Sequence, residues 1–165
     1  MTARRRVLAF AVDWLVVVMW AGALFGAVMV ASDFAPPRPA DPWAAQMIGF
    51  VTMTLPVTLY FALCESSPMQ ATLGKRALGL RVESGSGKRL SVGAALLRNA
   101  AKFAPWEFGH TVAQQAVYSG EGGFPAWVWV PAAVAVAGPV WWLVTLSTSG
   151  RTPYDRWSGA RVLPR

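Results

Sequence analysis

Three stretches of this chain stay apolar for the thickness of a lipid bilayer. Residues 7–31, residues 43–64 ("WAAQMIGFVTMTLPVTLYFALC") and residues 125–147 ("PAWVWVPAAVAVAGPVWWLVTLS") carry few charges. Each has the roughly twenty residues that a helix needs to cross the hydrocarbon core. Composition agrees: 55% of the 165 residues are hydrophobic and 14% charged, against about 25% charged in ordinary soluble domains. Nine Trp and eight Phe point the same way. The chain reads as an integral membrane protein.

The net charge of +7 is read as basic loops facing anionic lipid and cytoplasm, not as a nucleic-acid surface. One cysteine, Cys64, allows no internal disulfide and no cysteine zinc cluster; its place at the end of an apolar run suits packing. The start, "MTARRRVLAFAVDWLVVVMWAGALFGAVMVA", is basic like a secretory signal. Its apolar run is longer than the 7–15 residues of a signal core, and it contains Asp13. An uncleaved first transmembrane helix is expected. Pro56, Pro131 and Pro139 are read as kinks, because neighbouring helices can satisfy the freed backbone groups.

Charge placement sets the topology. Residues 1–6 hold Arg4, Arg5 and Arg6; residues 65–90 hold Lys75, Arg76, Arg81, Lys88 and Arg89; the tail from 148 holds Arg151, Arg156, Arg161 and Arg165. Loop 32–42 has only Arg38 beside Asp33 and Asp41, and loop 119–124 has only Glu121. Basic segments stay in the cytoplasm, so both termini belong there, and the number of crossings is even. Residues 91–118 then supply a fourth crossing, bent at Pro105. The predicted fold is all-α: a polytopic membrane helical bundle of four transmembrane helices, about 7–31, 43–64, 91–118 and 125–147. A cytoplasmic loop at 65–90 and a tail at 148–165 complete one domain in the cell inner (plasma) membrane. Three spans plus an amphipathic interfacial helix near 91–104 is the alternative.

Within the loop, "LGLRVESGSGKRLSV" has a Gly-Ser-Gly centre flanked by Leu and Val, which predicts a short β-hairpin. "GSGK" is not a phosphate loop, because that motif needs a Gly where Val82 stands. Ser91 is expected to cap the helix that follows. Trp43, after the Pro-rich "DFAPPRPADPW", is expected at a membrane interface.

Ionisable groups inside such spans are expensive and are functional candidates. Asp13 lies two turns into the first helix, with Arg6 on the same face. Arg98 and Lys102 are four apart and share a face; an Asp13–Arg98 pair is the first structural expectation. Glu107 and His110, three apart, either titrate together and relay protons or simply bond each other and Gln114. One His and scattered acids predict no metal site. Asp13, Arg98, Glu107 and His110 are the candidate ion or proton path. Lys75, Arg76 and Arg81 are candidates for lipid headgroups or for a salt-bridged latch to Asp155.

These segments resemble a known family. "RRRVLAFAVD" is similar to the opening of RDD family membrane proteins, with Arg6 (or Arg5) and Asp13 in the places of the family's arginine and first aspartate. "TLGKRALGLRV", residues 72–82, resembles the family's cytoplasmic segment, and "LLRNAAK" its Arg-bearing helix. "RTPYDRWSGARVL" resembles the closing stretch, with Asp155 in the place of the second aspartate. Where the family usually has Gly-Thr-Val-Val this chain has Gly159, Ala160, Arg161 and Val162, a departure at Ala160 and Arg161. The resemblance implies a membrane protein for which transport of unidentified ligands is proposed, with cation–proton exchange suggested for some members.

Three function classes follow. One is a small carrier using the intramembrane charges, helped by homo-oligomerisation. A second is a structural module that binds anionic lipid or a membrane protein partner. The third, a membrane enzyme using Glu107 and His110, lacks a nucleophile, metal cluster or cofactor motif, and the expectation is of no enzyme and no cofactor.

Overall fold

The computed structural model describes residues 3–36 and 38–165. Four long helical rods run alternately up and down. The first is α1 (Ala3–Ala31). The second joins α2 (Pro42–Gly49) to α3 (Leu55–Ser66) through a π-helical turn (Phe50–Thr54). The third is α5 (Val92–Tyr118), and the fourth is α6 (Trp129–Ser149). Between the second and third rods lie the short helix α4 (Leu73–Ala77) and strand β1 (Leu80–Ser84); after the fourth come α7 (Pro153–Trp157) and β2 (Ala160–Pro164). Three helices are long and apolar enough to cross a membrane: Ala3–Ala31, Pro42–Ser66 and Ala126–Ser149. The 27 residues of α5 make a rod of about 40 Å, and it lies against α2, α3, α6 and α7.

Local chemistry sets the helix ends. Asp41 Oδ1 accepts from the backbone N–H groups of Trp43 (2.8 Å) and Ala44 (2.9 Å), and Pro42 fills the first helical position, where no donor is needed. Ser91 caps α5 as expected, accepting from Ala94 N at 3.2 Å. The π turn has a cause. Pro56 has no N–H to give to the Thr52 carbonyl, one turn back, while Leu55 N reaches past it to the Phe50 carbonyl. The Trp20 indole N–H of α1 takes up the freed carbonyl, at 2.9 Å. Where α5 crosses α6, the Pro105 ring lies where a side chain on Gly138 would stand, 2.6 Å from its Cβ position. The rods run unbroken through Pro105 and Pro139.

The hairpin expected inside 65–90 goes no further than its turn, where Ser84 N donates to Lys88 O at 2.8 Å. Gly87 N does donate to Ser84 O (3.0 Å), so the Gly-Ser-Gly turn exists. However, the residues after it run directly into the Ser91 cap, and β1 pairs antiparallel with the C-terminal β2, with Val82 opposite Val162 and Glu83 opposite Arg161. The alternation explains the choice of partner: Leu80, Val82, Ala160 and Val162 bury one face of the ribbon on Ala9, Ala62, Leu90 and Ala95, and the ribbon closes one end of the bundle. A second apolar cluster of Val17, Val57, Phe61 and Phe103 sits deeper. At the far end Trp43 stacks on Trp127, with ring centroids 5.6 Å apart.

Candidate functional site

Five elements meet through charge at the ribbon end. Glu65, in the last turn of α3, is completely buried. Both its oxygens accept from Arg98 Nη1 at 2.6 Å, Oε2 also accepts from Asn99 Nδ2 at 2.8 Å, and Lys75 Nζ lies 2.9 Å from Oε1. The other edge of the Arg98 guanidinium donates to Asp155 Oδ1 from Nε (3.0 Å) and Nη2 (2.7 Å). Asp155 Oδ2 in turn accepts from Arg6 Nη2 (2.6 Å) and Thr152 N (3.2 Å). The run Lys75–Glu65–Arg98–Asp155–Arg6 thus ties together α4, α3, α5, α7 and α1. Buried charges persist only when paired and hydrogen-bonded, and every carboxylate oxygen here is engaged. Burial by itself would push the Asp155 carboxyl up; the Arg98 and Arg6 guanidinium groups outweigh it and hold the pKa down to about 2. Burial pushes the neighbouring Tyr154 phenol up.

Asp13 is held differently. Its side chain is completely buried, and three uncharged donors surround it: Thr72 Oγ1 at 2.6 Å on Oδ2, with Gly74 N at 2.7 Å and Tyr60 OH at 3.2 Å on Oδ1. Gly74 permits this approach. A Cβ there would stand 2.0 Å from the Ala9 carbonyl oxygen and 2.9 Å from Asp13 Cγ. The expected Asp13–Arg98 pair is therefore corrected. α1 packs closely on α4, so α4 fills the space at Asp13, while α3 brings Glu65 to Arg98. The expected latch between Asp155 and residues 74–81 is likewise corrected. Lys75 pairs with Glu65, Arg76 Nη1 meets Met69 Sδ (2.8 Å), Arg81 pairs with Glu83 at 3.4 Å, and Asp155 takes Arg98 and Arg6. Lys75 is buried, whereas Arg76 is exposed.

Glu107 and His110 form a separate polar site toward the far end. Gln46 Nε2 and Thr54 Oγ1 make short contacts with the two Glu107 oxygens, and His110 Nδ1 lies 3.4 Å from Oε2. Thr54 closes the π turn. Gln114, expected as a partner, makes no hydrogen bond to either; α2 and the π turn face Glu107 instead. The four residues expected to form one path therefore occupy three separate surroundings.

A cavity of about 590 Å³ lies between α1, α5 and α6. Arg6, Lys75 and Lys102 line it at the ribbon end and His110 toward the far end; Phe10, Trp14, Trp106, Pro139 and Trp142 form much of its wall. Lys102 is 8% exposed. Its Nζ sits 3.8 Å from the Phe61 ring centroid, and among the described residues it has no carboxylate within 4.0 Å. Trp14 and Trp106 lie together on the wall, centroids 5.0 Å apart.

The RDD family model matches residues 2–159, nearly the whole chain. The chain belongs to the RDD family. No curated protein and no solved structure matches it. In this RDD chain, Arg6 and Asp155 touch each other at 2.6 Å, although 149 positions separate them. Arg5 is exposed, so Arg6 is the member of the Arg4–Arg6 run that the network uses. The departure at Ala160 and Arg161 leaves the closing stretch able to form β2, because Ala160 and Val162 point inward and Arg161 outward. Sequence reasoning missed Glu65, Thr72 and Asn99. Glu65 carried a signal, as the acid that directly follows the second apolar run; Thr72 and Asn99 carried none, because an uncharged polar residue costs too little to stand out.

Proposed function

We propose that this RDD-family chain is a four-span membrane carrier with both termini in the cytoplasm, and that the cavity between α1, α5 and α6 is its solute chamber. Support for the fourth span comes from α5. It matches the other rods in length, and its charged side chains turn inward: Arg98 and Lys102 are buried. Support for the orientation comes from the basic residues, which gather at the ribbon end while Arg38 stands alone at the other. Exposed Arg4, Arg5, Arg76, Lys88, Arg89 and Arg156 suit anionic headgroups of the inner leaflet. A homo-oligomer or membrane protein partner would cover the apolar outer faces of α1 and α6.

The observation that carries the carrier reading is a chamber of small-ligand size that ends on the buried Lys102 side chain, which has no carboxylate partner among the described residues. The saturated network beside it is a fixed clamp, and Asp13, held by three neutral donors, is a second fixed joint. Saturation of the clamp also favours a second reading, a structural or lipid-binding module without flux. Reconstitution separates the two. Vesicles containing the wild-type protein should pass solutes that vesicles containing Lys102→Met do not, with both proteins equally well folded. Equal flux from both, or none from either over a broad solute screen, removes the carrier reading. A topology reporter inserted at Gly120 should report the outside; a cytoplasmic signal removes the fourth span.

A further inference from the structure

We infer that the cavity holds a single-chain amphiphile with one negative charge, a fatty-acid-type carboxylate, with its head on Lys102 Nζ and its tail along Phe10, Trp14, Trp106 and Trp142. The inference rests on the reading of the cavity as a ligand chamber and adds the chemistry of its occupant.

Charge arithmetic supplies the head group. Around the inner part of the ribbon end, four bases (Arg6, Lys75, Arg98, Lys102) meet three acids (Asp13, Glu65, Asp155). Glu65 and Asp155 are saturated by Lys75, Arg98 and Arg6, and Asp13 is saturated by Tyr60, Thr72 and Gly74. Lys102 is the one of these four bases left without an acid, and a ligand carboxyl group would complete its ion pair. An ammonium has three donors, and none of them finds a hydrogen-bond acceptor among the described residues; its close neighbours are the rings of Phe61, Phe103 and Phe10, at 3.8, 5.0 and 5.8 Å. Ring faces attract a cation, but they do not satisfy its donors. Lys75 Nζ lies 5.3 Å from the same Phe61 centroid and also borders the cavity, so an anion on Lys102 meets a second positive group close by. One base without an acid calls for a ligand with a single acidic group.

The walls supply the tail. From Lys102 to His110 along α5 is about 12 Å, and over that length the cavity is lined by aromatic and aliphatic side chains. A small inorganic anion would leave those walls without a partner. A whole diacyl phospholipid is too large for about 590 Å³. Roughly the first ten carbons of a single acyl chain fit that length, and its carboxyl head fits Lys102.

Bromine quenches indole fluorescence at short range, and Trp14, Trp106 and Trp142 line the cavity. The full chain, purified in a non-ionic detergent, is titrated with a dibrominated stearate, its methyl ester, and dibrominated phosphatidylglycerol. The expected result is saturable quenching by the free acid, displaced by oleate and not by inorganic phosphate. The methyl ester and the Lys102→Met variant should bind roughly tenfold or more weakly, and Lys102→Arg should keep most of the affinity. The acid–ester comparison needs only wild-type protein, so it stands even if Lys102→Met folds poorly. If acid and ester quench alike, saturably, the chamber stands and the anionic head is overturned. If no brominated probe quenches saturably, the chamber reading fails as well. Displacement by phosphate, or tighter binding of phosphatidylglycerol, overturns the single-chain occupant in favour of a free anion or a bilayer lipid.

Discussion

Replacing Glu65 by Gln keeps the side-chain shape and removes the charge on which the ribbon end turns. The Glu65 carboxylate receives Arg98 on both oxygens, Asn99 on one and Lys75 on the other, with no access to solvent. In Gln, an N–H₂ donor replaces one acceptor and faces either Lys75 or Asn99, with Arg98 beside it. The neighbourhood changes from four bases against three acids to four against two. Breaking one side of a buried ion pair costs about 3–5 kcal/mol. For a chain of this size each kcal/mol moves Tm by about 2–4 °C. Thermal melting in detergent, followed by tryptophan emission, should therefore fall by roughly 6–20 °C. Glu83→Gln breaks only the Arg81 pair, whose arginine side chain is 43% exposed, and it should melt within a degree or two of wild type, about the value of a surface pair. Adding Lys75→Gln to Glu65→Gln removes one stranded cation and should recover part of the loss. A Glu65→Gln protein melting within about 2 °C of wild type would refute the reasoning, because the network could then not be closed around that carboxylate.

The remaining predictions concern the joints of the same end. Gly74→Ala forces a Cβ to within 2.0 Å of the Ala9 carbonyl, so α4 must withdraw from Asp13; a loss of about 1–3 kcal/mol should appear as a lower melting temperature, while Gly22→Ala, with nothing within 4 Å, should cost nothing. Asp155 has a folded pKa of about 2, below its usual 3.8, so its contribution is complete above that usual value and is lost as pH falls from about 4 toward 2. It amounts to about 2 kcal/mol, and Asp155→Asn should flatten the melting-temperature slope over that range. Glu83→Cys with Arg161→Cys, at facing ribbon positions and with Cys64 replaced, should cross-link under mild oxidation; failure to do so in folded protein would contradict the β1–β2 pairing.

How much was legible follows the cost of each feature. Apolar runs announce themselves, because leaving a bilayer-length stretch in water is prohibitive; α1, the α2–α3 rod and α6 fall where residues 7–31, 43–64 and 125–147 predicted. Helix 91–118 was inferred by parity from basic loops, and α5 (Val92–Tyr118) occupies that stretch. The Ser91 cap was local chemistry and was read correctly. The strand 80–84 was read as half of a hairpin, but its partner lies at the other end of the chain. Period-two alternation marks a strand without saying which other strand covers its edge.

The sequence by itself determined that three of this chain's rods are long and apolar enough to cross a membrane, that charges inside such rods must be shielded, and that the chain belongs with RDD proteins. Tertiary structure alone decided which charge meets which. Arg98 and Asp13 are visible in the sequence as intramembrane charges in need of partners and Asp155 as a surface acid near the loop, and any of several pairings would satisfy the arithmetic. The outcome was set by α4. It packs on α1 with Gly74 against Ala9 and presents neutral donors to Asp13, leaving Arg98 to Glu65 and Asp155. Coulomb attraction has no sequence register; only the packing of backbone against backbone brings one partner to hydrogen-bonding distance and keeps the others away.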